Sequence, residues 1–154
     1  MIRIRVPGTL AYRDVVVRTV AAACNMASHR LVRDAGMLDL TTEFDAQVVS
    51  AFSEAFNNIC LHAYGNGSGG GDVDIEIELT PDYLEMRLVD EGAAFDLNQV
   101  PPPDLDAMPE GGLGVFIIQS FIDEFSYDAG PPNVWVLRKY MPSASARATN
   151  SEAP

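Results

Sequence analysis

Residues 73–89 read VDIEIELTPDYLEMRLV, and this stretch decides the fold class. Val73, Ile75, Ile77 and Leu79 alternate with Asp74, Glu76 and Glu78, a period of two that puts the apolar side chains on one face of a strand. Thr80-Pro81-Asp82 supplies a turn, and Tyr83–Val89 forms the returning strand. The result is a hairpin with one wet, acidic face and one apolar face that needs a cover.

The surrounding sequence supplies that cover. Upstream, Ile2, Ile4 and Val6 alternate with Arg3 and Arg5 as a further strand, closed by Pro7-Gly8. A helix is expected from Thr9, as N-cap, to about Ala27, followed by a connection over 28–41 containing Gly36. Thr41 or Thr42 caps a second helix reaching about Ala63, with Phe44, Val48, Phe52, Ala55 and Ile59 within one apolar arc. The tract YGNGSGGGD (64–72) ends it, because its five glycines have no helical purpose. Downstream, LGVFIIQSFIDEF (113–125) reads as an apolar helix, and Ser126–Asp128 and Asn133–Tyr140 read as strands around Gly130-Pro131-Pro132. The order β-α-α-ββ-loop-α-ββ predicts an α+β two-layer sandwich, a mixed, mostly antiparallel sheet covered on one face by helices.

Composition fits one domain over residues 1–141, with a polar, disordered tail over 142–154. Of the 154 residues 47% are apolar and 21% charged, ordinary globular usage. The formal net charge of −12 argues against direct nucleic-acid binding, which draws its affinity from Lys and Arg on phosphates. The charge is uneven: residues 1–38 hold six Arg against two Asp, and the acidic excess lies beyond them. The first residues lack the apolar core of a signal peptide, and the run Val15–Ala27 is interrupted by Arg18 and Asn25. A cytoplasmic protein without a membrane segment is expected, with Cys24 and Cys60 as reduced, buried thiols.

Three motifs carry chemistry. In SEAFNNICLHAY (53–64), Glu54, Asn58 and His62 recur at every fourth position, stacked along one side of the helix. Glu54 and Asn58 lie at the rim of the apolar arc and His62 falls inside it. Asn offers a carbonyl oxygen to Mg²⁺, and Glu can take the proton of an attacking hydroxyl. Asp90-Glu91-Gly92 follows a strand directly, where a carboxylate can accept a hydrogen bond from an exocyclic amine and a glycine admits a flat base. Glu110-Gly111-Gly112-Leu113-Gly114 opens a helix with free N–H groups, an anion site in pattern. Each motif alone also fits a solvated helix pair, an ordinary turn or a ligand-free loop.

Their order, with a Pro-rich segment between the last two, resembles the N, G1 and G2 boxes of the GHKL ATP-binding superfamily. The closer similarity is to the anti-sigma-factor serine/threonine kinases of bacterial partner-switching systems, through SEAFNNICLHAY, EGGLGVFIIQSFIDEFSY and VWVLRKYMP. It covers roughly residues 41–141 well and the first forty loosely. The resemblance implies Glu54 as general base, Asn58 as Mg²⁺ ligand, and Asp90 as the adenine-reading carboxylate beside Gly92. It also implies Gly111, Gly112, Leu113 and Gly114 as the phosphate-binding turn, residues 97–110 as a lid over ATP or ADP, and His62 as a structural residue. It implies a STAS-domain anti-anti-sigma factor as substrate, a sigma factor as captive, and a homodimer.

Two features depart from that pattern. Met108-Pro109 stand where family members often carry a basic lid residue, and residues 88–137 contain no Lys or Arg. The connection between the first two helices also reads as long. The missing cation gives weight to an alternative, a nucleotide-dependent binding switch with little kinase activity acting on a target other than a sigma factor. A third reading, the ATPase part of a histidine kinase or topoisomerase-like machine, lacks a dimerisation helix pair and a second domain in this sequence.

Overall fold

The computed structural model describes residues 1–35, 40–65, 70–94 and 113–142, with side chains described outside 28–42. Five strands form one sheet: β1 (Ile2–Pro7), β2 (Asp72–Leu79), β3 (Tyr83–Asp90), β4 (Glu124–Asp128) and β5 (Asn133–Tyr140). Their spatial order is β1-β2-β3-β5-β4, and all four pairings are antiparallel, so among the described residues the sheet is antiparallel throughout. The hairpin stands where the alternation puts it. Ile77 opposes Met86 and Ile75 opposes Leu88, both pairs buried, while Glu76 opposes Arg87 on the other face.

Three helices cover the apolar face: α1 (Arg13–Ala35), α2 (Leu40–Asn58) and α3 (Leu113–Phe121). Val16, Val20, Ala23 and Cys24 of α1 join Phe44, Val48, Phe52, Ala55 and Phe56 of α2 in the core. The predicted arc of α2 is buried at every position named for it. Trp135 lies beneath, its ring 4.5 Å from that of Tyr127 and 5.9 Å from that of Phe125. Cys24 and Cys60 are free and buried, and burial pushes their thiols up to about 12 and about 11, so neither is a thiolate at neutral pH.

Several boundaries differ from the sequence reading: α2 opens at Leu40, ahead of the expected caps Thr41 and Thr42, and β4 opens at Glu124 rather than Ser126. Thr9 does not cap α1: a 3-10 turn over Leu10–Tyr12 intervenes, and the Thr9 side chain makes no capping hydrogen bond. α1 runs to Ala35 rather than Ala27, since no Gly or Pro occurs before Gly36, and most of the expected long connection is therefore helix. α3 stops at Phe121 rather than Phe125 because the chain turns into the sheet. The Asp123 N–H donates to the Arg138 carbonyl at 3.1 Å, and the Asp123 carboxylate accepts from Tyr140 N–H at 2.7 Å. Beyond Asn58 the helix widens into a π turn over Ile59–Ala63, in which Tyr64 N–H donates to the carbonyl of Ile59, five residues back. This widening corrects the reading of His62. The extra residue in the turn rotates it out of the apolar arc, and it is exposed.

The lid 97–110, Gly111, Gly112 and the tail 143–154 lie outside the described residues. No helix among the described residues is long and apolar enough to cross a membrane.

Candidate functional site

α2 carries Glu54 and Asn58 one turn apart, both partly buried, on the side that meets the start of α3. The meeting is close. A Cβ on Gly114 would stand 2.8 Å from Glu54 Oε2 and 3.6 Å from Asn58 Oδ1, so a larger residue here would push the Glu54 carboxylate aside. Leu113 and Gly114 form the first turn of α3, whose N–H groups have no helical acceptor. The structure thus brings Glu54, Asn58 and Gly114 together as the motifs anticipate.

Asp90 and Gly92 make a second cluster, joined to the same helix through its π turn. A Cβ on Gly92 would come within 2.5 Å of the Ala63 carbonyl oxygen, and Ala93 N–H donates to that carbonyl at 3.0 Å. Asp90 ends β3 facing inward, 1% exposed. Its Oδ1 accepts from Gly92 N–H at 2.9 Å and from Asn133 Nδ2 at 2.9 Å. Its Oδ2 is buried and has no hydrogen-bond partner among the described residues. Burial raises the Asp90 pKa above the ordinary carboxylate value, against the lowering effect of the Asn133 and Gly92 hydrogen bonds.

Neighbouring residues hold this carboxylate in place. Asn133, buried at the start of β5, also donates to the Gly92 carbonyl at 3.1 Å and accepts from Gly130 N–H at 3.1 Å. Tyr64 accepts from Glu91 N–H at 3.1 Å and donates to the Asp72 carbonyl at 2.9 Å, tying the start of β2 to the end of β3. Asn133 lies outside the motifs, and Tyr64 closes SEAFNNICLHAY without a role assigned to it there. The signal for Asn133 is its parity: it stands in register with Trp135 and Leu137, the inward-facing positions of β5, where an amide needs a polar partner.

Two further polar atoms, Asn58 Nδ2 and Asn57 Oδ1, are buried without a partner among the described residues. An unsatisfied buried polar group costs about 1–3 kcal/mol, so these three atoms, on and beside one helix, are where an added hydrogen-bond partner would stabilise the most. The donor set has the right character for nucleotide and metal. Asp90 Oδ2 can accept from an amine, the first turn of α3 can present N–H groups to an anion, and Glu54 and Asn58 carry hard oxygens of the kind that suit Mg²⁺.

Similarity to known proteins shows the family. The histidine kinase-like ATPase domain family matches residues 10–139. A serine-protein kinase RsbW from Staphylococcus aureus is 29% identical over 154 residues, covering 95% of this chain and 90% of that protein. The protein of the same name from S. aureus strain JH9 is 30% identical over 131 residues, covering 80% of this chain and 76% of its own length. Among solved structures, the histidine kinase domain from the Erythrobacter litoralis EL346 blue-light activated histidine kinase superposes with a TM-score of 0.54 at 15% identity. That likeness covers 82% of this chain and 63% of the solved domain, and it bears on the fold alone. The chain therefore belongs to the histidine kinase-like ATPase domain family, and within it to the serine-protein kinases of the RsbW type.

Proposed function

We propose that this chain is an ATP-dependent protein serine/threonine kinase and anti-sigma factor. It binds Mg·ATP, phosphorylates a STAS-type anti-anti-sigma protein and sequesters a sigma factor, working in the cytoplasm as a homodimer. The observation that carries the nucleotide site is Asp90: a buried carboxylate with one oxygen held by Asn133 and Gly92 and the other unpartnered. An adenine exocyclic amine supplies the missing donor. The RsbW relatives support the serine-kinase activity and the partner-switching circuit.

Each residue then has a task. Asp90 orients the base, Gly92 keeps the floor of its pocket flat against Ala63, and Gly114 brings the first turn of α3 up to the phosphates. Gly111 and Gly112 would extend that turn. Asn58 would hold Mg²⁺ through its amide oxygen, and the ion, when bound, neutralises phosphate charge. Glu54 accepts the proton of the substrate hydroxyl as that oxygen attacks the terminal phosphorus. The alternative, a nucleotide-dependent switch with little kinase activity, is favoured by one observation, the lack of any Lys or Arg in residues 88–137.

Labelled ATP and a candidate STAS protein separate the two readings. The kinase transfers label to a serine or threonine of the STAS protein in a Glu54-dependent way. Nucleotide-dependent complex formation without label transfer would leave the switch standing.

A further inference from the structure

Seven basic side chains fall among the described residues, and six of them are spent on carboxylates. Arg3 pairs with Glu76, Arg5 with Asp74, Arg18 with Asp14, Arg87 with Glu76, Arg138 with Glu85 and Glu124, and Lys139 with Asp123. The seventh is Arg13. Its guanidinium donates through one NH2 group to the hydroxyl of Ser53 at 2.6 Å, a neutral partner, and its charge is uncompensated among the described residues. Ser53 is 5% exposed on α2 and directly precedes Glu54. Among the described residues, one Arg is thus left without a carboxylate partner, and it is bonded to the residue that precedes the one that would act as base.

Resting on the kinase reading, we infer that Arg13 supplies the cation that contacts the terminal phosphate of ATP, from α1 instead of from the lid. Its single hydrogen bond to Ser53 leaves the other guanidinium N–H groups for phosphate oxygens, in the planar geometry that suits them. The hydroxyl costs little to leave, since a neutral partner binds a guanidinium less strongly than a carboxylate does. The transfer then balances as follows. The substrate hydroxyl oxygen forms a bond to the terminal phosphorus and its proton passes to the Glu54 carboxylate. The bond from that phosphorus to the bridging oxygen breaks, and ADP leaves with the electron pair. Arg13 neutralises charge on the oxygens of the group in flight.

The test compares ATP with ADP, because only ATP carries the contacted group. Calorimetry and label transfer would be run on the full chain with Arg13→Met, Arg13→Lys, and the double variant Arg13→Met/Ser53→Ala. Arg13→Met should weaken ATP binding roughly 10–100-fold, the range for a hydrogen-bonded charge, while leaving ADP affinity unchanged and lowering phosphoryl transfer further. Arg13→Lys should recover part of both losses. If Arg13 serves only to satisfy Ser53, the double variant regains wild-type behaviour, which overturns the proposal. Equal weakening of ATP and ADP, or unchanged ATP affinity in Arg13→Met, also overturns it. Failure of the wild-type chain to bind either nucleotide would instead strike the kinase reading beneath it.

Discussion

The two faces of the sheet treat polar groups in opposite ways. On the outer face, charges are matched to one another. Arg5 makes two hydrogen bonds to Asp74, Arg138 bridges Glu85 and Glu124 while lying 4.5 Å over the Tyr83 ring, and Tyr140 donates to Glu124. Under the helices polar groups are fewer, yet Asp90 Oδ2, Asn58 Nδ2 and Asn57 Oδ1 have no partner there. The wet face could have tolerated unpaired groups at little cost, since water would satisfy them. The dry side cannot. Orphans on the dry side are expensive, and the proposed nucleotide site draws on this contrast.

The largest expected break in this contrast is Glu54→Gln. It keeps the shape beside Gly114 and removes the base, so label transfer should fall by about 10²–10⁴-fold with nucleotide affinity nearly intact. Transfer at the wild-type rate would take Glu54 out of the chemistry.

Asp90→Asn comes next and should cut both ways. Nucleotide affinity should drop roughly 10–100-fold, because an acceptor facing the adenine amine becomes an ambivalent amide. The ligand-free protein should be no less stable than wild type at neutral pH, since the variant removes a desolvated charge. The sign follows from the raised Asp90 pKa: the cost of the ionised form is present above that pKa and is relieved as the pH falls through it. Melting curves should therefore show an advantage for Asn above the raised Asp90 pKa that shrinks as the pH falls through it. A ligand-free Asp90→Asn protein that melts below wild type at pH 7 would show that the carboxylate is already satisfied.

Asn133→Ala sharpens the same point from the supporting side. It strips a hydrogen bond from Asp90 Oδ1 and leaves Gly130 N–H and the Gly92 carbonyl unpaired, so stability should fall by about 1–3 kcal/mol in denaturant titration. The smallest effect is expected on the wet face. Arg3→Ala should move the melting temperature by no more than about 3 °C, and less at high salt, because its pair with Glu76 leaves Arg3 68% exposed. A larger shift would mean that the outer face is more than a solubilising surface.

How far the sequence discloses this molecule depends on whether the cause of each feature is local. Alternation in β2 and β3 and the apolar arc of α2 are written residue by residue, and the structure follows them. Glu54, Asn58, Asp90 and Gly114 are legible because each sits at a fixed spacing from an element boundary. The end of α3 is not, since Glu124-Phe125 continues an apolar helical pattern and only the distant strand β5 draws it into the sheet. Asn133 is equally remote in sequence from the carboxylate it holds. Arg13 shows the limit most plainly: its composition-level reading is one more positive charge near the start of the chain, and only the pairing of its six counterparts sets it apart.

The π turn after Asn58 has a consequence that concerns chain length. A π turn contains one residue more than the α-helix it interrupts. Deleting one residue between Ile59 and Ala63 would let the backbone revert to α geometry, with Tyr64 bonded four residues back. Such a chain would keep Glu54, Asn58 and Tyr64 and lose no carboxylate. It would nonetheless turn the Ala63 carbonyl about 100° away from Ala93 and Gly92, and carry Tyr64 off its bonds to Asp72 and Glu91. The segment from Glu54 to Tyr64 is thus a measured spacer, in which the count of residues is as much a specification as their identity.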